Sequence, residues 1–226
     1  ERAGVSDIFV VGGDAETPAG MFSDGLDLLK AIDASGHRFA HVGIPSYPEG
    51  HPAIDDETLW QTLTSKQQFA TYTVTQMCFD ADAISRFVVD ARTRGIGLPI
   101  VAGIPGAVSA SKLLRVGTRI GVGDSIRFAR GNRSIARRLF GSAYRPDALV
   151  RKLAAHAVDG FADHDDHNAQ VKPHGPRRPR PGTTPVLAGL HIYTFNEIAA
   201  TLHSLENLGW SQGHGAAVAH EGGGHP

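Results

Sequence analysis

The chain of 226 residues has a formal net charge of −1, is 41% hydrophobic and 20% charged, and contains one cysteine. These values are typical of one soluble globular domain of ordinary size. The near-neutral charge argues against a nucleic-acid or membrane partner drawn by an overall basic field, and one cysteine excludes a disulfide framework or a multi-cysteine zinc site.

The first strand-like segment begins almost at the start of the chain, at Asp7, and the first residue is not methionine. We therefore expect the beginning of the domain to lie outside this chain. Residues 1–7 lack the features of a signal peptide, and no run of about 18 apolar residues could span a bilayer. Together with the single cysteine, these features predict a cytoplasmic protein.

Five short segments rich in apolar and β-branched residues predict β-strands, and segments of helical period follow them. Their approximate bounds are 7–11, 41–44, 72–77, 99–103 and 187–193. Because the segments are almost continuously apolar, we expect strands covered on both faces, as in a parallel sheet of repeated βα units. Cys78 follows the third strand in an apolar run, where a small core residue is expected rather than a nucleophile.

Helices are predicted between the strands from apolar residues that recur on one face. The first has Leu26, Leu29 and Ile32 on one face, the next has Ile84, Phe87, Val88 and Ala91 after an Asp80 cap, and the last has Ile198, Leu202 and Leu205 before Gly209. Further helical stretches are predicted at 109–116, 124–130 and 146–158. Residues 163–184 and 211–226 have the composition of a flexible insert and a disordered tail, so the domain is expected to span 1–210.

Five strands do not close an eight-stranded barrel. Either the sheet is open and doubly wound, or it is part of a (β/α)8 barrel whose first three strands lie upstream.

Candidate site residues follow four of the predicted strands. The first strand runs into Val-Val-Gly-Gly-Asp at 10–14, where small residues let a flat cofactor approach and a carboxylate can bind a ring N–H. A simple turn capped by Asp14 explains the same pattern, and the spacing is not that of a dinucleotide fingerprint.

The other three motifs also lie at carboxyl ends of strands, where barrel enzymes build their sites. They are Tyr-Pro-Glu-Gly-His-Pro at 47–52, Thr-Gln at 75–76 followed by Phe-Asp at 79–80, and His-Ile-Tyr-Thr-Phe-Asn at 191–196. Taken alone, Gln76 could cap backbone groups at a strand end, and His51 could be a loop histidine held by its neighbouring prolines.

Together and in this order, the four motifs and the Pro-Ile strand at 99–104 resemble the methylenetetrahydrofolate reductase family over about residues 6–209. The resemblance implies a (β/α)8 barrel in which these strands are the fourth to eighth. It also implies reduction of 5,10-methylenetetrahydrofolate to 5-methyltetrahydrofolate in one-carbon and methionine metabolism, with NAD(P)H as the hydride donor and, in most of the family, FAD as the relay.

The resemblance assigns roles to individual residues. It implies that Asp14 is the catalytic carboxylate that lies between flavin and pterin and orients the ring system. It also implies that Gln76 and Tyr193 bind the folate together with Asp14. The residues that it places at the cofactor are Gly13, Asp14, Ser23, Tyr47, His51 and Lys66. A side-chain amide matches the donor and acceptor edge of a pterin, and a lysine can meet a cofactor phosphate.

The chain departs from the family pattern at three points. Gly12 and Glu197 stand where the family commonly has arginines that contact the flavin and the substrate, and the family's general-acid glutamate has no counterpart here. Because some relatives pass the hydride directly from nicotinamide to folate, a flavin-independent reaction stays open.

Two other classes of function are alternatives to a reductase. A non-catalytic folate- or flavin-binding subunit that needs a partner fits the same motifs, whereas a folate-dependent methyltransferase would need cobalamin or metal ligands that the sequence does not offer. The His-Asp-Asp-His cluster at 164–167 lies in a polar insert and is interpreted as solvated rather than metal-binding. The sequence leaves a homo-oligomer open.

Overall fold

The computed structural model describes residues 4–12, 20–109, 112, 144–158 and 187–209. Its five strands are β1 (Asp7–Phe9), β2 (His41–Ser46), β3 (Tyr72–Thr75), β4 (Ile100–Pro105) and β5 (Gly189–Tyr193). The helices are α1 (Gly25–Ala34), α2 (Asp56–Lys66) with a 3-10 turn (Gln67–Phe69), α3 (Ala81–Thr93), α4 (Asp147–Val158) and α5 (Ile198–Glu206).

The strands form one parallel sheet in the order β1-β2-β3-β4-β5. Each strand therefore lies beside the one that precedes it in the chain, without the reversal of direction that defines a doubly wound sheet. The sheet curls into a half-barrel with helices outside it. This arrangement confirms the expectation of a partial (β/α)8 barrel and decides against the open doubly wound alternative.

One face of the sheet packs against the helices, and we call it the helix-covered face. The parallel registers place alternate side chains on this face, including Ile44, Ile100 and Ile104, each 0% exposed. In the two core clusters these side chains contact residues such as Leu29 of α1 and Ile84 of α3. Burial of apolar surface here is the main stabilising contribution to the fold.

The opposite face is the concave face, which lines the inside of the half-barrel. Glycines on this face make room for aromatic rings from the neighbouring strands. A Cβ at Gly43 would lie 2.5 Å from both Phe9 and Tyr72, and a Cβ at Gly103 would lie 3.0 Å from the ring of Tyr193. Phe9, in the edge strand β1, remains 45% exposed.

The predicted helix faces are confirmed for α3 and need correction for α5. Ile84, Phe87, Val88 and Ala91 are all buried, and the Asp80 carboxylate accepts from the Asp82 N–H at the start of α3, as the sequence predicted. In α5, by contrast, Ile198 is 60% and Leu202 39% exposed, whereas the buried residues are Thr201, Ser204 and Leu205.

One hydrogen bond and one close packing contact explain the orientation of α5. Ser204 donates a hydrogen bond to the Asp147 carboxylate of α4 at 3.1 Å, and Thr201 packs closely against Gly106 after β4. These contacts turn the small polar face of the helix inward, which apolar periodicity could not anticipate. The helices predicted at 124–130, most of the one at 109–116, and the segments 163–184 and 211–226 lie outside the described residues.

Candidate active site at the carboxyl end of the sheet

The carboxyl end of β3 carries Gln76, the first candidate residue that the structure places. The backbone N–H of Gln76 donates to the Ser46 carbonyl at 2.6 Å, which fixes the residue against the end of β2. Its side-chain oxygen Oε1 accepts from the Met77 N–H at 2.9 Å. The amide nitrogen Nε2 makes no hydrogen bond within the described part of the chain, so it is available to donate to a ligand. Gln76 thus caps a strand end and also offers a free donor.

Tyr193, at the end of β5, leans across the sheet towards β3. Its hydroxyl donates to the Thr75 carbonyl at 3.4 Å, and its ring lies over Gly103, where a Cβ would be only 3.0 Å away. Burial, and to a smaller extent the neighbouring Tyr47, raises the pKa of the Tyr193 phenol. Tyr193 therefore stays a neutral hydrogen-bonding group at neutral pH, and it lies next to the residue that precedes Gln76.

Tyr47 and His51 come from the loop between β2 and α2. Their rings meet edge to face with centroids 5.3 Å apart. The His51 Nδ1 accepts from the Ala53 N–H at 3.2 Å, so the neutral ring carries its proton on Nε2. Since Tyr47 also influences the Tyr193 phenol, the structure brings the candidate residues from β2, β3 and β5 to one end of the half-barrel.

Lys66 is a buried cation at the end of α2, with 9% of its surface exposed. Its ammonium lies 3.3 Å from where a Cβ on Gly25 would be, at the first residue of α1. Burial lowers the pKa of Lys66, and the nearby Asp24 carboxylate opposes that shift. The Asp24 carboxylate already accepts from the Leu26 and Asp27 N–H groups at the start of α1, so the Lys66 ammonium, rather than the helix terminus, is the group that suits a phosphate.

A small pocket opens between Lys66 and the loop that carries Tyr47. Its wall includes Ser46, Thr62 and Trp60, and the Trp60 ring stacks on Phe87 with centroids 5.0 Å apart. Sequence reasoning did not select Trp60 or Thr62, because their place in α2 looks like ordinary helix patterning. The pocket combines an aromatic wall, a hydroxyl and a cation, and its size admits a small group rather than a whole cofactor.

The family model of methylenetetrahydrofolate reductase matches residues 2–123, more than half of the chain. The chain belongs to the methylenetetrahydrofolate reductase family. The matched region contains β1 to β4 and all the candidate site residues except Tyr193, which lies in β5.

Curated relatives carry the same name. The chain is 25% identical over 205 residues to methylenetetrahydrofolate reductase (NADH) 1 of Arabidopsis thaliana and 28% identical over 207 residues to methylenetetrahydrofolate reductase 2 of Saccharomyces cerevisiae. These alignments cover 84% and 86% of this chain and 30% of each relative. A probable methylenetetrahydrofolate reductase (NADH) of Oryza sativa is 32% identical over 97 residues, which is 38% of this chain and 16% of the relative.

Two departures from the family pattern can be located in the structure. At Gly12, a Cβ would meet only the Gly25 nitrogen, at 3.8 Å, so the backbone leaves ordinary space for a side chain there. Glu197 accepts a hydrogen bond from the Lys112 ammonium at 2.8 Å, which joins the start of α5 to the segment after β4. The acid at position 197 is therefore paired rather than free.

Three further predictions concern the loop after β1. Gly13 and Asp14 lie outside the described residues, so their predicted contacts with flavin and pterin stay predictions. Ser23 is exposed, and its hydroxyl donates to the Asp27 carboxylate at the start of α1. Among the described residues, no three potential ligands converge on a metal site, and no helix is long and apolar enough to cross a bilayer.

Proposed function

We propose that this chain takes part in the NAD(P)H-dependent reduction of 5,10-methylenetetrahydrofolate to 5-methyltetrahydrofolate. The observation that carries the proposal is the convergence of Tyr47, Gln76 and Tyr193 at one end of the half-barrel, with the buried Lys66 in the same region. Family membership supports the same reaction. Since the chain spans 30% of the length of the first two relatives, activity in isolation is part of the proposal.

The reaction needs orientation rather than covalent catalysis by the protein. A hydride adds to the methylene carbon, the bond from that carbon to one folate nitrogen breaks, and that nitrogen takes up a proton. In this scheme the free Nε2 of Gln76 donates to a carbonyl or ring nitrogen of the pterin, and the Tyr193 ring limits the other side of the site. Asp14 is the proposed carboxylate that orients the ring system.

The described residues fit FAD as the hydride relay. Lys66 would hold a phosphate through its buried ammonium. Tyr47 and His51 would contact the cofactor from the adjacent loop. Bound there, FAD would supply the two-electron chemistry that relays a hydride between NAD(P)H and the folate. Because Gly12 and Glu197 stand where the resemblance expects arginines, the direct nicotinamide-to-folate route is the second form of the same reaction.

The test is an absorbance titration of the purified protein with FAD, followed by NADH and then methylenetetrahydrofolate without oxygen. Flavin bands that bleach with NADH and recover with methylenetetrahydrofolate are the expected result. A colourless protein that still consumes NADH when methylenetetrahydrofolate is added assigns the direct route. A protein that binds FAD or folate without hydride transfer is the non-catalytic subunit, and failure to bind either ligand overturns the proposal.

Gln76→Ala provides the residue-level test, with Gln68→Ala as the matched control. Gln68 lies in the 3-10 turn after α2, where its side chain donates to the Ser65 carbonyl. We expect Gln76→Ala to lower kcat/KM for the folate by roughly 10-fold to 100-fold, since one hydrogen bond to the ligand is lost. Equal effects of the two substitutions on kcat/KM would show that Gln76 does not bind the folate.

A further inference from the structure

The turn that follows β5 has a strained backbone. Phe195 and Asn196 have positive φ angles of 53° and 60°, and the Glu197 N–H donates to the Thr194 carbonyl at 2.8 Å. Two successive positive φ angles are found at the centre of a type I′ turn, where glycine, asparagine and aspartate are preferred. Asn196 fits this preference, whereas Phe195 does not. A strained turn of this kind persists only when contacts with its surroundings hold it.

The turn connects Tyr193, the last residue of β5, to the start of α5. The Tyr193 carbonyl accepts from the Gly106 N–H at 2.9 Å, and the Tyr193 ring lies over Gly103. Any relaxation of the turn would therefore act directly on the residue whose ring crosses the concave face.

One ion pair joins the far end of the turn to the segment after β4. The Lys112 ammonium lies 2.8 Å from the Glu197 carboxylate, and the two side chains are 35% and 43% exposed. The backbone N–H of Lys112 donates to the Ser109 hydroxyl at 3.4 Å, which fixes the lysine close to the end of β4. Glu197 directly precedes α5 but does not cap the helix with its side chain. Its carboxylate is directed to Lys112 instead.

A second contact joins the same two segments at Gly106. A Cβ at Gly106 would lie 2.6 Å from the Thr201 hydroxyl, so α5 rests directly on the backbone there. The segment after β4 therefore contacts the end of β5 and α5 through Gly106, and it contacts the start of α5 again through Lys112. Together these contacts enclose the strained turn at both ends.

We infer that Lys112 and Glu197 are positioning residues, whose ion pair holds the strained turn and thereby keeps the Tyr193 ring over Gly103. A half-exposed ion pair contributes little to global stability. Its effect here is local, because it limits the opening of one turn at the carboxyl end of the sheet. The consequence for folate binding rests on the proposed function, whereas the hold on the turn does not.

Amide hydrogen exchange tests the hold on the turn without any ligand. We expect Glu197→Gln and Lys112→Met each to lower the protection of the Gly106 amide roughly twofold to fivefold, as loss of one half-exposed ion pair implies. The Cys78 amide, which donates to the Gly103 carbonyl on the other side of β4, should keep its protection. Lys152→Met breaks an ion pair of similar exposure with Asp82 and is the matched control.

Unchanged protection of the Gly106 amide in both variants would overturn the inference. So would an equal loss at Gly106 and Cys78, because it would show that the whole sheet is destabilised rather than the turn alone.

Exchanging the two charges tests whether the side chains act as a pair. The single variant Glu197→Lys places two ammonium groups side by side and should lower the protection of Gly106 more than Glu197→Gln does. The double variant Lys112→Glu/Glu197→Lys restores opposite charges and should recover protection to within about 1.5-fold of the unmodified chain. A double variant no better than Glu197→Lys would contradict the pairing.

The effect on ligands is tested by calorimetric titration with 5-methyltetrahydrofolate and, separately, with FAD. We expect Glu197→Gln to raise the folate dissociation constant roughly twofold to fivefold and the charge-exchanged double variant to restore it. The FAD dissociation constant should not change, because the candidate FAD residues Tyr47, His51 and Lys66 lie on the β2–α2 side of the sheet. Equal losses for both ligands, or no loss for folate, would contradict the positioning role.

Failure of the proposed function gives a different result. An unmodified chain that binds neither ligand overturns the proposed function, whereas the exchange measurements on the same proteins still decide whether Lys112 and Glu197 hold the turn.

Discussion

The two faces of the sheet use the same strands for different purposes. The helix-covered face carries branched apolar residues such as Ile44 and Ile104, both 0% exposed. The concave face carries glycines with tyrosines laid across them, as Tyr193 lies across Gly103. The first face stabilises the fold by burying apolar surface, whereas the second gives up side-chain volume to make room for rings. The difference shows that the concave face is filled by aromatic rings of its own strands, whereas the opposite face is filled by helices.

The largest expected effect is loss of a core isoleucine from the helix-covered face. Ile104→Ala should lower the free energy of unfolding by about 2–5 kcal/mol, because it leaves a cavity among closely packed neighbours. Phe9→Ala removes more atoms from the concave face but should cost less, since Phe9 is 45% exposed. Urea unfolding measures both, with the exposed Val89→Ala of α3 as the control. A larger loss for Phe9→Ala would break the distinction between the faces.

A pair of glycines sharpens the description of the concave face. A Cβ at Gly103 would lie 2.0 Å from the Thr75 carbonyl oxygen, a backbone atom that cannot easily move, whereas a Cβ at Gly189 would meet nothing within 4 Å. We expect Gly103→Ala to cost about 1–3 kcal/mol or more and to disturb Tyr193. Gly189→Ala should change stability by less than about 0.5 kcal/mol. Equal unfolding midpoints would show that the backbone at Gly103 adapts freely.

Lys66 is the buried charge in the helix layer, and its replacement should separate stability from binding. Lys66→Met keeps the volume and removes a charge that burial disfavours, so stability should stay constant or rise slightly. FAD affinity should fall roughly 10-fold as the phosphate contact is lost. Lys30→Met, at an exposed position on α1, is the matched control. Unchanged FAD binding in Lys66→Met would exclude Lys66 from the cofactor site.

The same substitution has a signature in the pH dependence of stability. Because burial lowers the pKa of Lys66 in the folded protein, the unfolded chain binds more protons between the lowered value and the usual lysine value. The Lys66 contribution should therefore make the protein more stable as the pH rises through this window. The difference in unfolding free energy between Lys66→Met and the unmodified chain should shrink over that range, whereas Lys30→Met should show no such trend.

The smallest expected effect concerns the amino end of the concave face. Asp7 and His41 face each other in the β1–β2 register, and hydrogen bonds from Ser6 and then His41 lower the pKa of Asp7. Its stabilising contribution is present above the usual aspartate pKa and is lost as the pH falls through the lowered value. Asp7→Asn should remove this part of the acid dependence in urea unfolding. The pair is exposed, so the change should be small.

The sequence predicted all five strands, although at least one end of each shifted by one or two residues. It also predicted the buried face of α3, because Ile84 and Phe87 recur at helical spacing in a helix that packs by its apolar side. It failed for α5, where Thr201 and Ser204 face inward and Leu202 remains 39% exposed. That orientation depends on a hydrogen bond to Asp147 and on a close contact with Gly106, both distant in the sequence.

The residues of the candidate site likewise fall into those that the sequence predicted and those that only the structure revealed. Motif order singled out Tyr47, Gln76 and Tyr193 and led to the family, since these residues lie at or just after the carboxyl ends of β2, β3 and β5, which share one edge of the parallel sheet. It could not reveal that Trp60 and Thr62 line a pocket beside Lys66. That relation arises from the packing of α2 against its neighbours, which local patterns do not encode.

The sequence by itself determined the parallel sheet of βα units, the carboxyl-end location of the motifs and their likeness to one family, because strand period and motif order are local properties. The tertiary structure decided that the strands lie side by side in chain order in a curled sheet. It also decided that Lys66 is buried beside α1 and that Tyr193 reaches across Gly103 to β3. These features depend on which strands become neighbours and on the space that each glycine leaves, and both are settled only when the whole chain packs.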